Sequence, residues 1–339
     1  MKEVKLREIC RIEKGKQIDT SQLRTDSPYK YINGGIKESG YYHEYNTDSE
    51  AVLVSEGGAS CGYVNYVNEK FWCGCHCYKL TESKTLAKYL YYALKGNQDK
   101  IMELRSGAAM PNIKKEVFKN MSLLVDFDKN NQQAIVETLD CIQKAINNKT
   151  DELSSLDELV KSRFIEMFEN KGFPQKTGKE LFKFSSGKFL PSERRLNSGI
   201  PVYGGNGIAW YTDTTLIPFD TLVIGRVGAY CGNVRLVKGN KWITDNALYI
   251  SSFKTKDYSL EFLEELMKMC NFHQFADASA QPKITQKPLE NLTYIIPPIK
   301  LQNEFAEFVK LIDKSKFIVQ QQIKDLQELL DSKMDEYFR

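Results

Sequence analysis

Three of the eight cysteines and one of the three histidines fall within the short stretch WCGCHC (Trp72–Cys77). Thiolates and imidazole are good zinc ligands, and clustered thiols also serve redox chemistry. The spacing argues against a metal. On a strand Cys73, Cys75 and Cys77 alternate onto one face and His76 points to the other. Zinc ligand pairs usually span two to four intervening residues and draw on a distant second pair. His43 and the scattered Cys10, Cys61, Cys141, Cys231 and Cys270 do not supply one. The expectation is no metal, with cysteine acting here as a small buried hydrophobe.

No other familiar catalytic pattern is present. The chain has no HExxH, GxSxG or paired CxxC motif, and no carboxylate and lysine cluster of nuclease type. YGGNGI (203–208) clusters glycines without GxGxxG spacing or the Lys-Ser/Thr pair of a phosphate loop, so it reads as turn geometry near a binding surface. IIPPIK (295–300) lacks the Asn and the aromatic of an adenine methyltransferase loop and reads as a domain-to-helix linker. The chain is expected to be non-catalytic.

What must position any functional residue is a duplication. A shift of 170 to 172 places YINGGI (31–36) on YGGNGI (203–208), Tyr31 over Tyr203, and LVSEGGASCGYV (53–64) on VIGRVGAYCGNV (223–234). It also pairs Trp72 with Trp242 and GAAMPNI (107–113) with ASAQPKI (278–284). WCGCHC itself falls on WITDNA (242–247), so the second copy builds the same strand without a thiol.

The clearest copy closes each half, where LDELVKSRFIEMF (156–168) matches LQELLDSKMDEYF (326–338). Both belong to heptad patterns sustained over more than four heptads, which argues for coiled-coil helices. The first seam runs Ile135, Leu139, Ile142, Ile146, Lys149, Leu153, Leu156, Val160, Arg163 and Met167. The second runs Phe305, Val309, Ile312, Lys316, Val319, Ile323, Leu326, Leu330, Lys333 and Tyr337. Charges within a seam cost stability and point to registry control or a further partner. Gly172 and Pro174 end the first helix, and Pro297 and Pro298 introduce the second.

The expected organisation is α+β: a globular domain over 1–128, a helix over 129–171, a second globular domain over 172–298 and a second helix over 299–339. Each domain is expected to hold short strands with turn glycines and one helix, near 86–96 and 260–270. The two long helices are expected to pack as an antiparallel coiled-coil spacer with pseudo two-fold symmetry. About 35 residues at roughly 1.5 Å each give a rod on the order of 50 Å, equivalent to roughly 15 base pairs of duplex DNA.

At 339 residues with net charge +3 the chain is long enough for two domains, and its total charge neither demands nor excludes nucleic acid. Partitioned, the charge says more. Residues 1–128 carry 19 basic and 17 acidic side chains (+2) and 172–298 carry 15 and 11 (+4), whereas the helical segments carry 6 and 8 (−2) and 7 and 8 (−1). Mildly basic domains suit a polyanion and the helices suit protein. A cytoplasmic, membrane-free protein with reduced thiols is expected.

With this layout the chain resembles the specificity subunit of type I restriction-modification enzymes. The resemblance is carried by VYGGNGIAWY (202–211), LVIGRVGAYCGNV (222–234), PPIKLQNEFAEFV (297–309) and LDELVKSRFIEMF (156–168), and by the alternation of domain and long helix. It implies two target-recognition domains that each read half of a bipartite double-stranded DNA site, with helices that set the unread gap. It implies docking of two modification (methyltransferase) subunits and, through them, restriction subunits. Leu153, Leu156, Phe164, Phe168, Ile323, Leu326, Met334 and Phe338 are the partner-binding candidates on the helix faces. S-adenosylmethionine is expected in the partner subunits, with no cofactor in this chain.

Candidates for DNA contact are basic, amide and aromatic residues near glycine turns, where a loop can approach a groove closely. In the first domain they are Lys14, Lys16, Arg24, Lys30, Tyr31, Asn33, Ser60 and Asn112. In the second they are Lys188, Arg194, Arg195, Tyr203, Asn206, Arg226, Tyr230, Gln281 and Lys283. Arginine and lysine read guanine edges, asparagine and glutamine read adenine, and any of them can bind phosphate. Arg226 and Tyr230 stand out because their repeat counterparts are Glu56 and Ser60. The rival class is a DNA-independent coiled-coil adaptor with duplicated protein-binding domains.

Overall fold

The computed structural model describes residues 1–107, 110–277 and 281–339, so Ala108, Ala109 and residues 278–280 of the matched GAAMPNI and ASAQPKI segments lie outside it. Two long helices, Lys129–Phe168 and Ile299–Phe338, account for the heptad segments. Each is shared between two compact units. One unit holds Met1–Asp151 with Gln320–Arg339, and the other holds Glu152–Val319.

In the first unit a four-stranded antiparallel sheet runs in the order Arg11–Lys14, Cys77–Thr81, Ala51–Ser55, Val64–Val67. Its central strand is apolar on both faces: Val52, Leu53 and Val54 are all fully buried. A three-stranded sheet follows the order Gly40–Tyr42, Tyr29–Ile32, Phe71–Cys73, the last pair being parallel. Lys2–Lys5 pairs with Ser122–Val125, closing the domain's ends together. The helix Ala87–Lys95 adds Tyr89, Leu90 and Leu94 to the core. The same core takes Ile135, Leu139, Ile142 and Ile146 from the first long helix and Leu330, Met334 and Phe338 from the second.

The second unit repeats every one of these features. Its four-stranded sheet is Phe182–Ser186, Ala247–Phe253, Thr221–Gly225, Val234–Val237. Its three-stranded sheet is Gly207–Thr212, Ile200–Gly204, Trp242–Ile243, again with one parallel pair. Gln175–Thr177 pairs with Thr293–Ile295. The helix Leu260–Met269 starts where the Ser259 hydroxyl accepts from the Phe262 N–H, a capping arrangement that satisfies an orphan donor of the first turn. Its core joins Phe168 to Phe262 (ring centroids 5.0 Å) and Phe305 (5.4 Å). Within this unit the long helices run antiparallel, Phe164 meeting Phe305 at 5.6 Å and Lys316 meeting Asp157 at 2.6 Å.

Every heptad seam position is buried or half-buried, as the periodicity requires. The seam charges are handled individually: Lys316 bridges to Asp157, Arg163 to Glu166 (2.7 Å) and Lys333 to Glu336 (2.7 Å). Three expected partner-contact residues are corrected. Phe168, Met334 and Phe338 are only 2%, 9% and 1% exposed because the helix ends insert into the domain cores, so they are packing residues. Phe164, Leu156, Ile323 and Leu326 are half-buried against the same cores, and Leu153 is half-buried. The outward apolar residues of the helices include Leu159, Ile165, Ile299, Leu311, Phe317, Ile318 and Leu329.

The register of the duplication also differs from the sequence match in one strand. Tyr31 lies beside Trp72 and Val202 beside Trp242, so Tyr31 corresponds to Val202, and Tyr203 to Ile32. A slip of one residue exchanges the faces of a strand. Tyr31 and Val202 are both buried, and Tyr203 is half-buried against the core of its sheet. Among the described residues no helix is long and apolar enough to cross a membrane.

Candidate nucleic-acid interface

WCGCHC is not one continuous strand. The strand Phe71–Cys73 ends at a turn through Gly74–His76, and a new strand begins at Cys77. The Cys77 N–H donates to the Gly74 carbonyl (3.1 Å), and the Asn33 side chain accepts from the His76 N–H (3.1 Å). Cys73 and Cys77 are therefore buried, Cys75 half-buried and His76 exposed, which corrects the expected single-face alternation. The Cys73 thiol is pushed up by its hydrogen bond with Cys77 and by burial. Cys73 and Cys77 stand where the second domain has buried Ile243 and Ala247. Among the described residues no group of three or more His, Cys, Asp or Glu is placed to hold a metal ion.

The turn is one wall of a loop cluster that both domains build identically. In the first domain the Glu56 N–H donates to the His76 carbonyl (2.8 Å), the Ile113 N–H to the Glu56 carbonyl (2.8 Å) and the Gly58 N–H to the Pro111 carbonyl (2.9 Å). In the second, the Arg226 N–H donates to Asn246 (2.9 Å), Ile284 to Arg226 (2.9 Å) and Gly228 to Pro282 (2.9 Å). Gly62 (φ 79°) and Gly232 (φ 89°) occupy left-handed backbone where these loops rejoin the sheet, a conformation that favours glycine. A thiol braces each loop: Cys61 Sγ donates to the Glu56 carbonyl and Cys231 Sγ to the Arg226 carbonyl, both at 3.2 Å. An indole fixes the neighbouring loop, Trp72 Nε1 donating to the Lys16 carbonyl and Trp242 Nε1 to Lys188, both at 2.8 Å.

In the first domain the cluster gathers Lys14, Lys16, Asn33, Ser60 and Asn112, but not all are free to reach a ligand. Lys14 is half exposed and held by the nearly buried Glu56 carboxylate at 2.7 Å. The Glu56 carboxylate also accepts from the Tyr78 hydroxyl (3.1 Å). Ser60 Oγ donates to the Gly34 carbonyl (2.6 Å), and Asn33 braces the turn, so both are structural. Lys16 and Asn112 are exposed. Tyr31 is corrected outright: at 1% exposure, packed against Ile18 and Tyr42, its ring cannot reach a ligand. Arg24 and Lys30 belong elsewhere. The Arg24 N–H donates to Tyr41, and Lys30 pairs with Glu69 at 2.6 Å, a hydrogen bond that holds its ammonium above the ordinary lysine range.

The second domain gathers more. Asn206, Tyr230 and Gln281 line a single cleft together with Trp210, Thr244 and Asn246. The Arg195 guanidinium lies 4.1 Å from the Trp210 ring centre, a cation–π contact. Arg226 Nη1 donates to the Asp245 carbonyl (3.2 Å), bracing the 244–246 turn. Lys283 is exposed on the segment bridged to Val227, and Lys188 is exposed next to Trp242. Arg194 is drawn aside to Thr214 (2.8 Å), and Tyr203 turns toward the core. Sequence reasoning missed Trp210, Thr244 and Asn246. Thr244 and Asn246 lie within the matched WITDNA and Trp210 within the resemblance-carrying VYGGNGIAWY, but nothing in their type or spacing marks them as site residues.

Comparison with known proteins agrees with this architecture. A family model described as the type I restriction modification DNA specificity domain matches residues 1–156 and again 170–328. A specificity subunit of Mycoplasma genitalium described as putative is 32% identical over 244 residues, 66% of this chain and 63% of that protein, so the match spans under two thirds of that relative. A second such subunit, from Mycoplasma pneumoniae, is 25% identical over 96% of this chain and 93% of its own. The crystal structure of an S subunit of a type I restriction-modification system from M. genitalium superposes with a TM-score of 0.67 at 23% identity, covering 100% of this chain and 96% of that one. Matched twice over, once across each copy of the duplicated domain, the chain belongs to the type I restriction modification DNA specificity domain family.

Proposed function

We propose that this chain is the DNA-specificity subunit of a type I restriction-modification enzyme, reading a bipartite duplex target with its two domains and catalysing no reaction itself. The observation that carries the reading is the duplicated loop cluster. Two copies share backbone hydrogen bonding yet differ in the side chains they present, Glu56 and Ser60 against Arg226 and Tyr230. Two rigid frames that differ at matched positions, with an exposed Tyr230 where the first domain has the braced Ser60 and a half-buried Arg226 where it has the buried Glu56, are what reading two different half-sites requires.

In this reading the long helices fix the unread gap and dock two modification subunits, which bind S-adenosylmethionine and in turn recruit restriction subunits in the cytoplasm. Among the apolar side chains that remain exposed, Leu159, Leu311, Phe317, Ile318 and Leu329 are better docking candidates than the buried Phe168, Met334 and Phe338. Isolated exposed apolar residues are ordinary, but Leu159 and Leu329 recur at matched positions of the two helices.

The test is selection from a randomised duplex library with the chain co-purified with its modification subunit. Two conserved half-sites at fixed spacing are expected. Recovery of no bipartite consensus would sink the reading and favour a DNA-independent adaptor. Inserting one heptad into each long helix should lengthen the gap and leave both half-sites unchanged.

A further inference from the structure

The two loop clusters differ at one place that their shared frame does not require. In the first domain Asn33 follows the strand Tyr29–Ile32 and packs onto the 74–76 turn so closely that a Cβ on Gly74 would stand 2.2 Å from its Oδ1. The Gly74 N–H donates to the Ile32 carbonyl, and the Thr244 N–H donates to Tyr203, so Gly204 and Thr244 are the counterparts of Asn33 and Gly74. The exchange does not refill the space. A Cβ on Gly204 would find only the Thr244 Oγ1 within 4 Å, at 3.8 Å, and the position is not in left-handed backbone.

What remains is the open cleft walled by Asn206, Trp210, Tyr230, Thr244, Asn246 and Gln281. Thr244 is only 4% exposed, and its Oγ1 has no hydrogen-bond partner; the buried Trp210 Nε1 has none either. A buried polar group left unpaired lowers stability, a cost that a seated ligand removes. Around the rim Asn206, Asn246 and Gln281 are exposed carboxamides, each able to donate and accept, beside the exposed Tyr230 ring. Beside these, the Arg195 guanidinium is occupied in stacking on the Trp210 ring, and the Arg235 guanidinium lies against Gly207. The carboxamide set suits a neutral edge carrying both donors and acceptors, as a nucleobase does.

We propose that this cleft is the subsite for one base of the half-site read by the second domain, and that Asn33 closes its counterpart in the first. The proposal rests on the DNA-specificity reading above.

The full chain with its modification subunit, carrying Thr244→Val or Gly204→Asn, is put through the same randomised-duplex selection. Thr244→Val keeps the shape and removes the unpartnered hydroxyl, and Gly204→Asn supplies the side chain that fills the space in the first domain. Each is expected to lower discrimination at one base pair of one half-site by roughly tenfold, with the other half-site unchanged. The melting temperature of Thr244→Val should hold or rise, and this variant carries the test if Gly204→Asn does not fold. Unchanged half-sites in Thr244→Val, or a uniform weakening across all sequences, would overturn the proposal while leaving the DNA-specificity reading intact. Absence of any consensus from the unmodified chain would remove both.

Discussion

Phe338 sets its ring edge-on against Tyr89, with centroids 5.4 Å apart and 67° between the planes. Its carbonyl accepts from the Asn97 side chain (3.4 Å), and Arg339 Nε donates to the Gly96 carbonyl (3.1 Å). The last turn of the second long helix is thus part of the first domain's core. Phe338→Ala is expected to destabilise that unit by about 3–5 kcal/mol, the usual cost of emptying a buried aromatic site. Urea denaturation followed by intrinsic fluorescence measures it, and a loss below about 1 kcal/mol would show that the contact is dispensable.

Two fully buried glutamines hold the helix starts to the domains. Gln302 accepts from the Ser259 N–H (2.9 Å) and donates to the Asp257 (2.6 Å) and Pro297 (2.8 Å) carbonyls. Gln132 accepts from the Leu86 N–H (2.8 Å) and donates to the Asp126 carbonyl (2.6 Å). Methionine fills similar volume without making these bonds, and each unmet buried group costs about 1–3 kcal/mol. Gln302→Met should therefore destabilise more than Gln132→Met, each measured by denaturation midpoint at constant slope. Equal, sub-kilocalorie effects would contradict the anchoring role.

Periodicity made the long helices legible, because a heptad seam is a local pattern: Ile135 through Met167 and Phe305 through Tyr337 all turn inward. Which face meets what was not legible. Phe168 and Phe338 lie beside that seam, and only the tertiary fold shows that a domain covers them. Glycine and tryptophan matches mark the loop cluster for the same reason, but not the bracing contact of Asn33 or the inward face of Tyr31. Whether an amide braces a turn, and which side of a strand a tyrosine takes, depends on a register that a one-residue slip reverses.

Burial pushes the Cys10 thiol up to about 12, from an ordinary value of 9.0. Above pH 9 the unfolded chain releases this proton and the folded chain keeps it. The stability contributed by the protonated thiol is therefore complete below about pH 9 and is lost progressively as the pH rises toward 12. Cys10→Ala should flatten the alkaline decline in denaturation midpoint relative to the parent chain. An identical decline in both would assign it to other groups. In the same protein iodoacetamide at pH 8 should modify the exposed Cys141 ahead of Cys10, Cys73 and Cys77.

Arg226 acts on its domain from the frame outward. Its backbone joins the Asn246 and Ile284 segments, its Nη1 donates to the Asp245 carbonyl, and its Nε is buried without a partner. The residue at the same place in the first domain, Glu56, instead holds Lys14. Removing the guanidinium releases the 244–246 turn, so Arg226→Ala should relax one half-site by roughly tenfold in discrimination while the other keeps its sequence. Lysine carries the charge without the planar fork, so Arg226→Lys should relax the same half-site. Competition binding against mismatched duplexes at several salt concentrations decides between turn brace and phosphate contact. If Arg226→Ala weakens all sequences equally and lowers the salt slope by about one, while lysine restores it, the side chain serves the phosphate backbone.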